Sequence, residues 1–461
     1  MAIQTLNPAT GEVVKEFKEI TDQELEQKLA LAENAFKVWR KTTFKERADL
    51  MMKLGTYLVE NKEKLGSLQT LEMGKTISSS ETSAAKCGLV CEYYAENAEK
   101  MLSDEAVVTD DSEAYVAFDP LGIVLAVMPW NFPLWQVYRF AAPALMAGNV
   151  ALLKHASNVP QCALAIEESF KAVGFPDGVF QTLLVSSERT ERIIRDNRVK
   201  AVTLTGSEKA GASVASIAAS EIKKAVLELG GSDPFVVFAD ADLESTVKQA
   251  VSARLQNNTG QSCISAKRFI VAESIVEKFT KGVVEEISKL KVGDPSDRSV
   301  DVGPLATEQI LKEIEKQVQE SVALGAKLEV GGKRIGDVGY FYAPTVLTNV
   351  KKGMPVYDQE TFGPVLAIIS FDDSKEDRGF EEAVSISNDT EFGLGASVWT
   401  KDMVLAKKAT REIDAGSVFV NTPVKSDPRL PFGGIKRSGY GRELSSYGIR
   451  EFVNIKSVRI K

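Results

Sequence analysis

The sequence predicts an α/β protein with two doubly wound parallel sheets and a small additional β element. Three observations lead there. A chain of 461 residues exceeds what one hydrophobic core ordinarily organises, so two or three domains are expected. From Gly148 onward, short apolar runs at 150–153, 179–185 and 200–204 alternate with helical segments near 159–173, 187–196 and 208–220, the rhythm of strand, crossover helix and parallel strand. The runs Lys224 to Leu229 and Phe235 to Phe238 extend it. Beyond Gly230-Gly231 a second α/β series begins, with helices near 242–255, 273–290, 307–324 and 401–412 and strands near 266–271, 364–370, 394–399 and 417–420.

The remaining elements follow from local signals. Thr21-Asp22-Gln23-Glu24 reads as a capping box opening a helix to about Arg40, with Leu25, Leu29, Ala32, Phe36 and Trp39 on one face. A second amphipathic helix is expected from about Phe44 to Leu65. Between Ala114 and Val127, β-branched and aromatic residues broken by Asp119-Pro120-Leu121-Gly122 suggest two strands and a tight turn. Val453 to Ile460 alternates apolar and polar residues with one slip, the pattern of an edge strand; a flexible tail is the alternative.

Composition narrows the function classes. Hydrophobic and charged fractions of 44% and 26% belong to a folded soluble protein. Sixty-four acidic residues against fifty-six basic ones disfavour a nucleic-acid or anionic-membrane partner. The N-terminus carries neither a basic segment nor an apolar run, and no apolar stretch is long enough to span a bilayer, so a cytosolic (cytoplasmic) protein is expected. Four cysteines at 87, 91, 162 and 263 make no disulfide framework in a chain this long. Cys87 and Cys91, one helical turn apart, lack a second pair to complete a metal site and read as core residues, so no metal is expected. His155 is the single histidine, so a general base must be sought among carboxylates, lysines or tyrosines.

Three stretches carry chemistry. Gly260-Gln261-Ser262-Cys263 places a soft nucleophile in a bend after a polar run, although a lone free cysteine is more often buried and inert. Glu228-Leu229-Gly230-Gly231 offers a carboxylate at a strand end. Pro129-Trp130-Asn131-Phe132-Pro133 offers a neutral amide donor, with a helix N-cap as the plainer role for Asn131. Together a thiol, a carboxylate and an amide can attack a carbonyl, hold its oxyanion and hydrolyse the product. Trp135 and Arg139 follow Asn131 at four-residue steps, which suggests adjacent ridges of one helix. Arg139 could hold a remote substrate carboxylate, or could make an internal ion pair. GxGxxG is absent, so the common dinucleotide fingerprint cannot be invoked. Gly206 and Ser207 instead lie between the strand Ala201 to Leu204 and a helix, where backbone amides could meet a pyrophosphate.

These stretches, with Leu153-Lys154, Leu204-Thr205-Gly206-Ser207, Glu360-Thr361-Phe362-Gly363-Pro364 and Pro431-Phe432-Gly433-Gly434, resemble the aldehyde dehydrogenase superfamily in order and spacing nearly end to end. The whole chain is similar to the bacterial NADP-dependent succinate semialdehyde dehydrogenases within it. The resemblance implies a cofactor domain from 1–109 and 128–230, a catalytic domain from 231–430, and oligomerisation elements at 110–127 and 431–461 that pair with another subunit in a homodimer or homotetramer. It implies Cys263 as nucleophile, Asn131 as oxyanion donor and Glu228 as the base for hydrolysing a Cys263 thioester. It implies cofactor contacts at Trp130, Lys154, Ser157, Gly206, Ser207, Leu229, Glu360 and Phe362. Lys154 corresponds to the lysine that reaches the adenosine ribose, and Ser157 stands where many NAD-preferring members carry a glutamate. Serine removes the repulsion of a 2′-phosphate, so NADP is expected to be preferred and NAD possible. Lys425, Ser426 and Arg429 fall where succinate semialdehyde dehydrogenases supply a further carboxylate contact. With Arg139, Trp135 and Ser426 as substrate residues, the expected reaction is succinate semialdehyde to succinate. The alternatives are a broad aliphatic or aromatic aldehyde dehydrogenase and a cofactor-independent cysteine hydrolase. Two departures stand out: Gln256 and Asn257 replace aromatic residues common in the family, and Ser265 replaces a second cysteine, so a Cys-x-Cys redox switch is not available.

Overall fold

Gly230-Gly231 separates two largely parallel sheets. The structure, a computed structural model, describes residues 2–374 and 376–461. The first sheet has the spatial order Gly439–Tyr440, Lys224–Glu228, Val199–Thr205, Ile123–Met128, Val150–His155, Phe180–Thr182. The second has the order Lys327–Val330, Thr345–Thr348, Val365–Phe371, Arg268–Ala272, Pro234–Val237, Gly395–Trp399, Ser417–Val420. Pairing is parallel throughout except at one edge of each sheet, where Gly439–Tyr440 and Lys327–Val330 run antiparallel. Helices cover both faces, so the central strands are continuous apolar runs: every residue of Val150–His155 is buried.

Capping chemistry acts as its residues suggest. Glu24 N–H donates to Thr21 Oγ1 at 3.2 Å and Thr21 N–H to Glu24 Oε2 at 2.7 Å, opening the helix Asp22–Trp39. Thr43 and Glu46 repeat the device. The second helix, expected to reach Leu65, stops at Glu60, and a new helix Lys62–Met73 starts beyond Asn61. Asn61 leaves the helical region, and both its backbone N–H, at 3.0 Å, and its Nδ2, at 2.8 Å, donate to Tyr57 O, closing the last turn. A long helix, Ile77–Met101, buries Cys87 and Cys91.

The hairpin expected around Asp119-Pro120-Leu121-Gly122 does not form. Both strands exist, but Glu113–Pro120 pairs antiparallel with Val453–Ile460 and Glu105–Ala106 in a separate three-stranded sheet. Ile123–Met128 lies inside the first parallel sheet between Val199–Thr205 and Val150–His155. The turn is a passage between sheets, and 123–127 is central sheet rather than part of a β element at 110–127. Burial explains the division: Ile123–Met128 is apolar on both faces, whereas Glu113–Pro120 is partly exposed along its length.

The C-terminal strand is not unpaired within the chain. It runs in register with Glu113–Pro120 from Val453 opposite Pro120 to Ile460 opposite Glu113, and is the outer strand of that sheet. The 431–461 segment also stitches into the first sheet, where Gly439 lies opposite Glu228 and Leu229 N–H donates to Ser438 O at 2.9 Å. No described helix is long and apolar enough to cross a membrane.

Candidate active site

The Cys263 loop is built by a backbone that only a few residues tolerate. Thr259 and Gly260 both have positive φ, and a Cβ on Gly260 would come within 2.1 Å of Gly363 O. That close approach locks the Cys263 loop against the Glu360 to Pro364 segment. Arg254, almost fully buried, adds bonds to Thr361 O at 2.7 Å and Val365 O at 2.8 Å on one side and Ser265 Oγ at 3.2 Å on the other. Lys267 fastens the loop from below, its Nζ donating to Ser262 O at 3.0 Å and Cys263 O at 2.7 Å. Cys263 itself is partly accessible, and its backbone N–H donates to no group among the described residues. Burial nevertheless pushes the thiol up to about 12, against the pull of Arg139 and Lys267.

Asn131 is clamped beside this loop. Its Oδ1 accepts from Gln136 Nε2 at 2.9 Å, which turns its Nδ2 to Gln261 O at 3.2 Å, while Asn258 Nδ2 donates to Asn131 O at 2.8 Å. One N–H of the amide is thereby left for another acceptor. Asn131 is neither on the helix nor its cap. The helix is Trp135–Met146 with Leu134 at its N-cap, because Pro133 forces the residue before it out of helical geometry. Trp135 and Arg139 do share that helix, one turn apart.

Glu228 ends its strand fully enclosed. Neither carboxylate oxygen has a hydrogen-bond partner among the described residues, and a Cβ on Gly433 would meet Oε1 at 2.6 Å. Burial, reinforced by the neighbouring Glu443 carboxylate, holds the Glu228 carboxyl well above the usual carboxylate range. Gly231 brings this strand end to Cys263: a Cβ there would lie 2.8 Å from Cys263 O. Arg139 stands between, drawing down both the Cys263 thiol and the Glu228 carboxyl. His155 cannot act as base, since burial pushes it down to about 4; Ala156 N–H donates to Nδ1, so Nε2 carries the proton and donates to Pro133 O at 2.8 Å.

A cavity runs to Cys263 between Phe132, Trp135 and Phe432, and four cations line it: Lys75, Lys86, Arg139 and Lys425. No carboxylate lines it. Ser426 lines it too. Arg139 adopts the internal pairing that was its plainer reading: it is ion-paired with Glu443 and lies 4.4 Å from the Phe432 ring centroid.

The family model for aldehyde dehydrogenases matches residues 1–458. The chain belongs to the aldehyde dehydrogenase family. A probable NADP-dependent succinate-semialdehyde dehydrogenase of Synechocystis is 53% identical over 460 residues, with both chains covered completely. An NADP-dependent succinate-semialdehyde dehydrogenase of Mycobacterium tuberculosis is 53% identical over 463 residues, again across both full lengths. Among solved structures, succinic semialdehyde dehydrogenase of Streptococcus pyogenes, in complex with NADP+, superposes with a TM-score of 0.96 at 37% identity, both chains covered completely.

The residues of this aldehyde dehydrogenase expected to meet a cofactor are placed as follows. Lys154 is the penultimate residue of the strand Val150–His155, with its Nζ 3.5 Å from Ser187 Oγ and no carboxylate in ion-pair range among the described residues. Ser157 is partly exposed three residues on, its carbonyl accepting from Gln4 N–H at 3.0 Å. Gly206 leads into Ser207, which caps the helix Glu208–Ser220 by accepting from Ala210 N–H at 3.3 Å. Leu229 packs onto that helix at Gly211, where a Cβ would sit 2.6 Å from Leu229 Cδ2. Glu360 accepts from Gly231 N–H at 3.0 Å and lies 3.4 Å from Lys267, while Phe362 meets Trp130 edge to face at 5.8 Å. Among the described residues no cluster of three or more His, Cys, Asp or Glu side chains is placed to hold a metal ion.

Sequence reasoning missed Glu443, Lys267, Lys75 and Lys86. None belongs to a motif with characteristic spacing. Only Lys267, four residues after Cys263, lay close enough to the nucleophile in sequence to be suspected.

Proposed function

We propose that this enzyme oxidises an aldehyde carrying a remote carboxylate, succinate semialdehyde being the simplest fit, to the corresponding acid with NADP. The observation that supports this most is the cavity ending on Cys263, which is lined by four cations and no carboxylate. Phe132, Trp135 and Phe432 suit the short methylene chain between the two ends of such a molecule.

Cys263, as thiolate, attacks the aldehyde carbon, and the carbonyl π electrons move to oxygen. The Asn131 amide and the free Cys263 N–H stabilise that oxyanion. NADP, held by the residues expected to meet a cofactor, would supply the hydride acceptor, and loss of hydride from this carbon leaves a thioester on Cys263. Glu228, once ionised, removes a proton from water as the water attacks the thioester; the C–S bond then breaks, releasing the acid and restoring the thiolate.

The donor set fits a phosphorylated dinucleotide. Lys154 stands near a strand's C-terminal end with no carboxylate within ion-pair range among the described residues, Ser157 and Ser187 supply hydroxyls, and the helix behind Ser207 offers its N-terminus. Ser157 in place of an acid favours NADP over NAD. The outer edge of Val453–Ile460, with Ile455 and Ile460 exposed on it, supports a homodimer or homotetramer, and the enzyme is proposed to work in the cytoplasm.

A panel of charged and uncharged aldehydes, followed at 340 nm with NADP and with NAD, tests the reading. Higher kcat/KM for succinate semialdehyde with NADP is expected, and S157E should shift preference toward NAD. Equal rates with uncharged aldehydes would instead favour a broad-specificity enzyme.

A further inference from the structure

We propose that Lys75 is a second covalent site for aldehydes, its ε-amine forming a reversible imine with an aldehyde that enters the cavity ending on Cys263. The mechanism above makes no use of this side chain. The proposal requires only that an aldehyde enters, not that it carries a remote carboxylate.

The backbone fixes where Lys75 lies. Gly74, with a φ of 77°, closes the helix Lys62–Met73, and a Cβ on it would come 2.6 Å from Pro304 Cγ. Ile77 N–H donates to Pro295 O at 2.8 Å, and the helix Ile77–Met101 begins there. Held between these two contacts, Lys75 is only 1% exposed, yet it lines the cavity. Its Nζ lies 4.1 Å from the Phe132 ring centroid and makes no hydrogen bond or ion pair among the described residues.

The groups around it do not support a charge. Lys86 lines the same cavity from the long helix, Arg139 from Trp135–Met146, Lys425 from the loop before Pro431, and Cys263 from its own loop. No described carboxylate lines it. Cys87, beside Lys86, stays protonated because burial holds its thiol well above the usual range. Lys86 has Ser426 Oγ as an acceptor at 2.7 Å and Arg139 has Glu443 as a counter-ion. An ammonium at Lys75 would have three N–H donors and neither kind of partner, with only the Phe132 ring face to favour it. The neutral amine is the form that fits: burial first, and Lys86 second, push Lys75 down to about 7.

A neutral primary amine attacks an aldehyde carbon through its nitrogen lone pair. The carbonyl π electrons move to oxygen, and a proton passes from nitrogen to that oxygen, giving a carbinolamine. The C–O bond then breaks, the hydroxyl leaves as water with the second N–H proton, and a C=N bond forms with no oxidant or reductant consumed. Water reverses each step. Without NADP the aldehyde is not oxidised, so the imine belongs to the cofactor-free enzyme.

The test incubates C263A, which has no competing thiol at the site, with succinate semialdehyde or with butanal, which has the same four-carbon chain and no carboxylate. Cyanoborohydride reduces any imine to a stable secondary amine, and peptide mass mapping locates it. At about pH 7 an exposed lysine has roughly a thousandfold less free amine than one titrating at about 7, which outweighs its greater intrinsic nucleophilicity. Lys75 should therefore be labelled at least about tenfold faster than any exposed lysine, and its labelling should fall as pH drops below about 7. K75R keeps a cation but cannot form the imine. With Cys263 in place, K75R should retain activity through preincubation with aldehyde and cyanoborohydride, whereas the wild type should lose it progressively. Adducts confined to exposed lysines, a Lys75 rate no faster than theirs, or equal loss of activity in K75R overturns the site. The C263A map leaves Lys75 unaltered, so it decides the matter whatever K75R does to folding.

Discussion

Arg139 and Glu443 form an ion pair in the protein interior, both side chains at most 5% exposed. The pair lies against Glu228, which Glu443 pushes up and Arg139 draws down. Breaking a buried pair strands the remaining charge, so R139M should cost about 3–5 kcal/mol of stability. The midpoint of denaturant unfolding measures this. E443Q removes a negative neighbour from Glu228, and its pH–kcat profile should move to lower pH.

Glu228 can accept a proton only after ionising, and its carboxyl lies well above the usual range because of burial first and Glu443 second. Deacylation should therefore accelerate as pH rises through that raised value. The sign for folding is opposite: a carboxyl that titrates higher when folded contributes stability in acid that is lost as pH rises through the folded value. E228Q should show a burst of NADPH followed by slow turnover, visible by stopped flow. Unchanged steady-state turnover would refute the assignment.

The Cys263 thiol, pushed up to about 12 by burial, is drawn down by Arg139 and then Lys267. Replacing Lys267 with Met removes that pull together with the clamp on two loop carbonyls. Alkylation of Cys263 by iodoacetamide at fixed pH should slow, with the pH of half-maximal alkylation shifted upward. C263A should have no dehydrogenase activity.

Asn131 is positioned by Gln136 so that its amide N–H groups face the nucleophile loop. N131A should lower kcat by about a hundredfold or more, the usual cost of one oxyanion donor, with KM little changed. Q136L should lose part of the same activity by releasing the amide's orientation.

Burial pushes Lys75 down to about 7 and Lys86 to about 8. Arg139 and Lys425 depress Lys86 further, while Cys87 and Asp427 oppose them; Lys86 itself depresses Lys75. An ammonium that deprotonates stops attracting a carboxylate, so KM for succinate semialdehyde should rise as pH passes from about 7 to above 8. KM for butanal should stay flat over that interval, and a parallel rise would remove the lysines from the explanation.

The bend that holds Cys263 and the strand end that holds Glu228 were legible because turn and strand-end chemistry is local. The alternation of apolar runs and helices revealed two parallel sheets, and Thr21 and Thr43 with the glutamates three residues on opened helices as local capping chemistry requires. The Asp119 to Gly122 turn misled, because a turn signal is the same whether the next strand folds back or crosses into another sheet. Tertiary structure alone decided that Ile123–Met128 joins the first sheet, that Glu443 reaches Arg139, and that Lys86 reaches Ser426. The two side-chain pairs lie hundreds of residues apart, and no periodicity or spacing encodes which buried charge will find which neighbour. The pairing is set when the packed sheets and the C-terminal segment exclude water and leave each charge the partners within its reach.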